Sequence, residues 1–292
     1  MKRIYSSALT CVVAAAAGLA VIAGPAAAAG GEPIHIERQP WAHSGFFGQH
    51  DQAQLRRGFQ VYQEVCSACH GLNRVYWRNL VEPGGPEFDE EAVKALAKEW
   101  PNQITDGPND EGQMFERPAL LSDPIRGPYK NEKEARAAQN GAYPPDLSLI
   151  TRARMVENHA AWYAHVPLMV KDVLTGYQEG GADYLYALLT GYKDAPAGFQ
   201  LGDGMNYNAA YPGHQIAMPS VLDGGPVTYQ DNAGATSSME QNAKDVTAFL
   251  AWAADPSLNA RKRIGWQVML YLLVTTILLY LAKHRIWARV AH

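Results

Sequence analysis

The chain has 292 residues, with 25 Lys and Arg against 29 Asp and Glu, a net charge of −4. The charge is unevenly spread: two cations lie in the first 29 residues and six from Arg261 onward, leaving 17 cations against all 29 acids between them, a net of −12. A middle part so acidic excludes nucleic acid as its partner and favours encounter with basic proteins, although acids also serve solubility alone.

The chain opens with Lys2 and Arg3, continues through an apolar run and closes that run with a string of alanines ending at Ala29. A basic start, an apolar middle and a small-residue end predict a cleaved secretory signal over residues 1–29. Pro25 and the small-residue tail argue against a retained helix, and Cys11 leaves with the peptide. Residues 30–260 are then the exported part.

The first folded element leads to the chemistry. Asp51, with Gln54 three residues on, resembles a capping box, and Leu55, Phe59 and Tyr62 follow at helical spacing toward "CSACH", Cys66 to His70. Cys66 and Cys69 are the only cysteines after the signal. A closed zinc site needs four ligands, and no second pair at matching spacing exists. A dithiol of the thioredoxin kind sits between strand and helix, whereas helix precedes Cys66. A disulfide there would close a trivially short loop. Two cysteines two residues apart with histidine directly after them are the attachment signature of c-type haem: each thiol bonds one vinyl group, and His70 comes to lie beneath the iron.

Further along, "EEAVKALAKEW" predicts a helix before Pro101, and "DYLYALLTGY" a second, with Leu185, Leu188, Leu189 and Tyr192 on one face. A third follows Ser237 and Ser238, carries Val246, Phe249, Leu250 and Ala253 on one face, and ends at Asp255-Pro256. Residues 101–128 and 193–236 are Gly- and Pro-rich loops, long enough to signal function. No internal repeat and no convincing alternation of strands is present. The fold expected is mostly α.

Ile264 to Ala282 is a run of 19 residues without a charge. At 1.5 Å per residue it spans about 28 Å, enough for a hydrocarbon core. Trp266 and Tyr280 lie near its ends, and cations flank it on both sides, which predicts a transmembrane helix over 264–282. Three cations stand on either side, so the positive-inside rule does not orient it. The export signal does, leaving 283–292 in the cytoplasm.

An iron held by one histidine is either open, for gas binding or peroxidase work, or closed by a sixth ligand and suited to moving electrons. Candidates are Met114, Met155, Met169, Met205, Met218, Met239, His159, His165 and His214. Met218 in "YPGHQIAMPSVL" stands out, because Pro219 stiffens the following backbone, although core filling is the ordinary fate of methionine.

"RRGFQVYQEVCSACH", "YPPDLSLITRAR", "DYLYALLTGY", "GHQIAMP" and "KDVTAFLAWAADP", followed by a single apolar span, resemble the cytochrome c1 family in the same order along the chain. The resemblance implies a class I-like cytochrome c haem domain with long loops and one C-terminal membrane helix. It implies one covalently attached haem c on Cys66 and Cys69, with iron ligands His70 and Met218. Arg154 looks like the arginine that contacts a haem propionate, and Tyr62 and Tyr184 resemble tyrosines lining the haem pocket. Pro144, Pro145 and Asp146 look structural. The implied role is an electron-transfer subunit, not an enzyme on its own. It would take single electrons from a Rieske iron–sulfur protein and pass them to a soluble basic cytochrome c, in a dimeric complex with cytochrome b. The implied location is the bacterial inner membrane, with a single pass through the lipid bilayer and the haem domain on the periplasmic side. Rival readings are a free-standing tethered carrier, an oxidase haem subunit, or an open-iron enzyme or gas sensor. One departure stands out: residues 155–181 are longer than the corresponding connection in mitochondrial members, and nothing in them assigns a role.

Overall fold

A computed structural model describes residues 34, 36–155, 161–177, 179–225, 227–229 and 236–289. The signal segment and His159 lie outside them. The helices are α1 (Gln52–Glu64), α2 (Glu90–Glu99), α3 (Glu132–Ala138), α4 (Ile150–Ala153), α5 (His165–Thr175), α6 (Gly180–Thr190), α7 (Met239–Ala254) and α8 (Leu258–Trp287).

The core is built where α1 crosses α7. Phe59, Tyr62 and Phe249 are almost wholly buried, with ring centroids 5.5–6.4 Å apart. Each such aromatic contributes about 1.5–3 kcal/mol through burial. Gly58 permits the close crossing, since a Cβ there would overlap the carbonyl oxygen of Asp245. Asp245 ties the pair together. It is fully buried and accepts from Arg57 Nε at 2.7 Å, Tyr229 Oη at 2.8 Å, Gln54 Nε2 at 3.0 Å and Gln241 Nε2 at 2.8 Å.

That hub changes one expectation. Asp51 caps α1 by accepting from Gln54 N at 2.7 Å, but the Gln54 side chain goes to Asp245. Only half of a capping box forms, because a buried carboxylate is the stronger acceptor for the Gln54 amide. Ser238 caps α7 by accepting from Gln241 N at 3.1 Å, and Asp255 ends it.

Among the described residues, strands of the long loops form three small ribbons that alternation did not reveal: β4 (Pro124–Ile125) with β1 (Leu72–Tyr76), the strand after His70; β2 (Ile104–Asp106) with β3 (Phe115–Arg117); and β5 (Asn206–Tyr207) with β6 (Gln215–Ile216). Most of these strands have two or three residues, too few to show a period of two. Arg117 clamps the first loop, lying 2.5 Å from both Asp106 and Asp123.

The last helix, α8, is 30 residues long and begins six residues before the predicted span. Its apolar side chains are exposed all round, the pattern of a helix whose solvent is lipid. At its root Lys262 Nζ donates to the carbonyls of His43, Gly45 and Gly48 at 2.7, 2.5 and 3.0 Å. This fixes the helix to the loop ahead of α1.

Candidate haem site

Helix α1 runs through Val65 into a 3₁₀ turn, Cys66–Ala68. The amides of Cys69 and His70 both donate to the Cys66 carbonyl, at 3.1 and 2.9 Å. The turn thus brings two thiols and an imidazole together at the end of a rigid helix. Cys66 is half-buried and packs on the core, and desolvation, helped by Cys69, pushes its thiol up to about 12. Cys69 Sγ lies 3.5 Å from Gln139 Nε2. Both sulfurs are unbridged.

His70 is oriented by its backbone and by its ring. Tyr62, itself buried, donates its hydroxyl to the His70 carbonyl at 3.1 Å. His70 Nδ1 is 2.7 Å from the Pro145 carbonyl oxygen. A carbonyl only accepts, so Nδ1 carries the proton and Nε2 keeps its lone pair, the arrangement usual for a metal-bound imidazole. Burial lowers the His70 pKa, opposed by the Pro145 carbonyl and the charge of Asp146. A neutral ring is the form that ligates iron.

The loop that carries Pro145 is fastened to the strand leaving the motif. Asp146 Oδ2 accepts from Asn73 N at 2.7 Å and its Oδ1 from Ser148 N at 2.9 Å. Ser148 Oγ accepts from Arg74 N at 3.0 Å, and Leu147 N donates to Gly71 O at 2.9 Å. Behind His70, Gly71 lies against Gly127, where a Cβ would come within 2.6 Å of the Gly127 nitrogen. Pro145, which looks structural in the sequence, thus positions the His70 ring through its backbone carbonyl. Its only signal was membership of the "YPPDLS" stretch.

Of the methionines considered, Met114, Met155 and Met169 are strongly exposed and Met205 is partly so, whereas Met218 and Met239 pack against the core. The Met218 carbonyl accepts from Tyr192 Oη at 3.0 Å and from Asn206 Nδ2 at 3.4 Å. Its loop is thereby pinned by Tyr192, which lies just past the end of α6 rather than on the helix, and by the β5 ribbon, contacts not anticipated from sequence. His214 is occupied differently: its ring stacks on Tyr207, and Nδ1 faces the Asn208 carbonyl at 3.2 Å. Tyr184 is buried on α6. Arg154 is exposed at the end of α4, its amide donating to the Ile150 carbonyl at 2.9 Å. His165 is exposed at the start of α5.

The donor set fits a covalently held haem. It has two thiols on one turn, an imidazole with Nε2 presented by a backbone acceptor, and a thioether on a braced loop. Residues 41–290 match the Cytochrome C1 family. The chain belongs to the cytochrome c1 family. Members are haem subunits of the bc1 complex and carry a covalently bound haem c, as this chain does. It is 45% identical to cytochrome c1 of Blastochloris viridis over 92% of each chain. With cytochrome c1 of Rhodospirillum rubrum it shares 40% identity over 95% of this chain and 96% of the other. A relative named cytochrome b/c1, from Bradyrhizobium diazoefficiens, is 45% identical over 85% of this chain. The match spans only 35% of that longer protein. Together with the exposed apolar helix α8, these relatives make the chain a single-pass membrane protein.

Proposed function

We propose that this chain passes single electrons from a Rieske iron–sulfur protein to a soluble cytochrome c, as the haem subunit of a quinol–cytochrome c reductase that also contains cytochrome b. The haem supplies a one-electron iron couple and makes no bond to a substrate. Cys66 and Cys69 would hold it by thioethers, and His70 and Met218 would ligate its iron. Arg154, exposed beside the fold, is assigned to a propionate. Tyr62 and Tyr184 line the pocket. The domain from residue 30 to 260 faces the periplasm, 264–282 crosses the membrane, and 283–292 is cytoplasmic.

The observation that supports this reading is the His70–Pro145 hydrogen bond, which leaves the Nε2 lone pair available for ligation. The closed-iron form is favoured over an open one because two donors brace the Met218 loop. The −12 balance of residues 30–260 supports a basic acceptor, with Asp110 and Glu111 exposed as candidate docking acids. Purification of the tagged chain from gently solubilised membranes tests the assembly. Co-purifying b-type haem and an iron–sulfur subunit support it. A chain that emerges alone with its own haem favours a tethered carrier.

A further inference from the structure

Helix α5 lies inside the 155–181 segment, and none of its residues is buried. Its outward side is apolar. Val166, Met169, Val170, Val173 and Leu174 are 48–73% exposed, and their spacing places them on one face about half a turn wide. Trp162 and Tyr163, just ahead of the helix, are 85% and 69% exposed. The opposite side holds the helix to the domain. Leu168 and Asp172 are half-buried, Asp172 pairs with Arg38 at 3.0 Å, and Lys171 stays exposed between the two faces. A monomer does not keep so large a patch in water without a use for it.

The neighbours of α5 indicate what covers it. Gly176, which ends the helix, packs on Gly45 and Phe46 so closely that a Cβ there would lie 2.9 Å from Gly45 Cα. The adjoining Phe46 and Phe47 are themselves exposed. Phe47 meets Trp266 edge to face at 5.5 Å, and Trp266 is the interfacial aromatic of the membrane helix. Gly45 is also one of the three carbonyls gripped by Lys262 at the root of α8. The C-terminal end of α5 therefore packs on the Gly45–Phe46 backbone, and the next residue, Phe47, meets the helix that enters lipid.

We infer that α5, with Trp162, Tyr163, Phe46 and Phe47, is a second membrane contact. It is an amphipathic helix lying in the interface plane, its Val166–Leu174 face in the headgroup and upper acyl region. An in-plane helix beside a single span restrains tilt and rotation of the domain it carries, which one helix alone does not. The insertion thereby acquires a role in holding the haem domain at a set height and angle over the bilayer.

Accessibility measurements on the intact assembly in phosphatidylcholine vesicles test this. Val173→Cys and Val170→Cys place a nitroxide on the apolar face, and Lys171→Cys places one at its exposed polar edge; an undiminished haem band shows each variant to be folded. Collision with oxygen, which concentrates in lipid, is compared with collision with a water-soluble nickel chelate. The inference requires oxygen to exceed nickel severalfold at 173 and 170, with the order reversed at 171. Nickel collision at 173 equal to that at 171 places the helix in water and overturns the inference. Immobile labels at 173 and 170, shielded from both reagents, mean that a protein partner covers the face, and they overturn it equally.

Discussion

His70 Nδ1 and the Pro145 carbonyl oxygen are 2.7 Å apart, although 75 positions separate them along the chain. That one contact sets the tautomer of His70, the proposed iron ligand, and its rotation about Cβ–Cγ. It also makes the basicity of the imidazole depend on a loop remote from the attachment motif. The loop is held in turn by Asp146, whose two oxygens take the amides of Asn73 and Ser148.

Replacing Asp146 with alanine removes both acceptors and leaves the Asn73 and Ser148 amides without their side-chain partner. The expected cost is about 1–3 kcal/mol of domain stability, read as a lower denaturant midpoint with unchanged slope. Haem attachment persists, but the reduction potential moves, because the Pro145 carbonyl loses its brace. A potential identical to the parent's would contradict the link between this loop and His70.

Asp245→Ala tests the core. It strips the partner from half-buried Arg57 and breaks four side-chain contacts at the α1–α7 crossing. Removing one member of a buried pair costs about 3–5 kcal/mol. Urea unfolding of the haem-bearing chain should show a loss of that size. A change under 1 kcal/mol would mean that the hub is peripheral to stability.

Sequence patterning revealed the covalent motif and the helices around it, because both are local. Thiol spacing is dictated by the two vinyl groups, and helices advertise themselves by apolar period and by caps such as Asp51 and Ser238. Other features were hidden. Pro145 acts through its backbone carbonyl, which no side-chain pattern marks. Asp245 reads like any helical surface acid until α1 buries it. Met218 stood among six methionines, and burial narrows them to Met218 and Met239. The ribbons are too short to alternate. The amphipathic face of α5 shows its meaning only beside Phe47 and Trp266.

Stability should depend on pH through two histidines. Burial, then Lys262 and Arg152, lowers His43 to about 4. Burial, then the neighbouring His43 ring and the same cations, lowers His50 to about 3. Both start near 6.5 in the unfolded chain, so between pH 6.5 and about 4 the unfolded state binds more protons than the folded one. Stability therefore falls as pH drops through that window, by several kcal/mol in total at 1.36 kcal/mol per pKa unit. In a His50→Gln variant the fall beginning at pH 6.5 should be shallower. An identical slope in parent and variant would show that His50 does not titrate on unfolding.

Electron delivery to a basic cytochrome c should slow as salt rises from low values to about 0.15 M, where screening extends over roughly 8 Å. Neutralising Asp110 and Glu111 together should lower the low-salt rate and flatten the salt curve. A rate flat in salt for the parent chain removes electrostatic steering from the account.

The most direct test of the central claim is carbon monoxide binding to the dithionite-reduced protein, parent against Met218→Leu. If Met218 closes an iron held by His70, the parent's reduced spectrum stays unchanged under carbon monoxide and the variant's shifts. The variant's potential should also fall, by on the order of tenths of a volt within the roughly 0.8 V that axial ligands command. Ready binding by the parent, or a variant that behaves as the parent does, would contradict closure by Met218 and return the chain to the open-iron class.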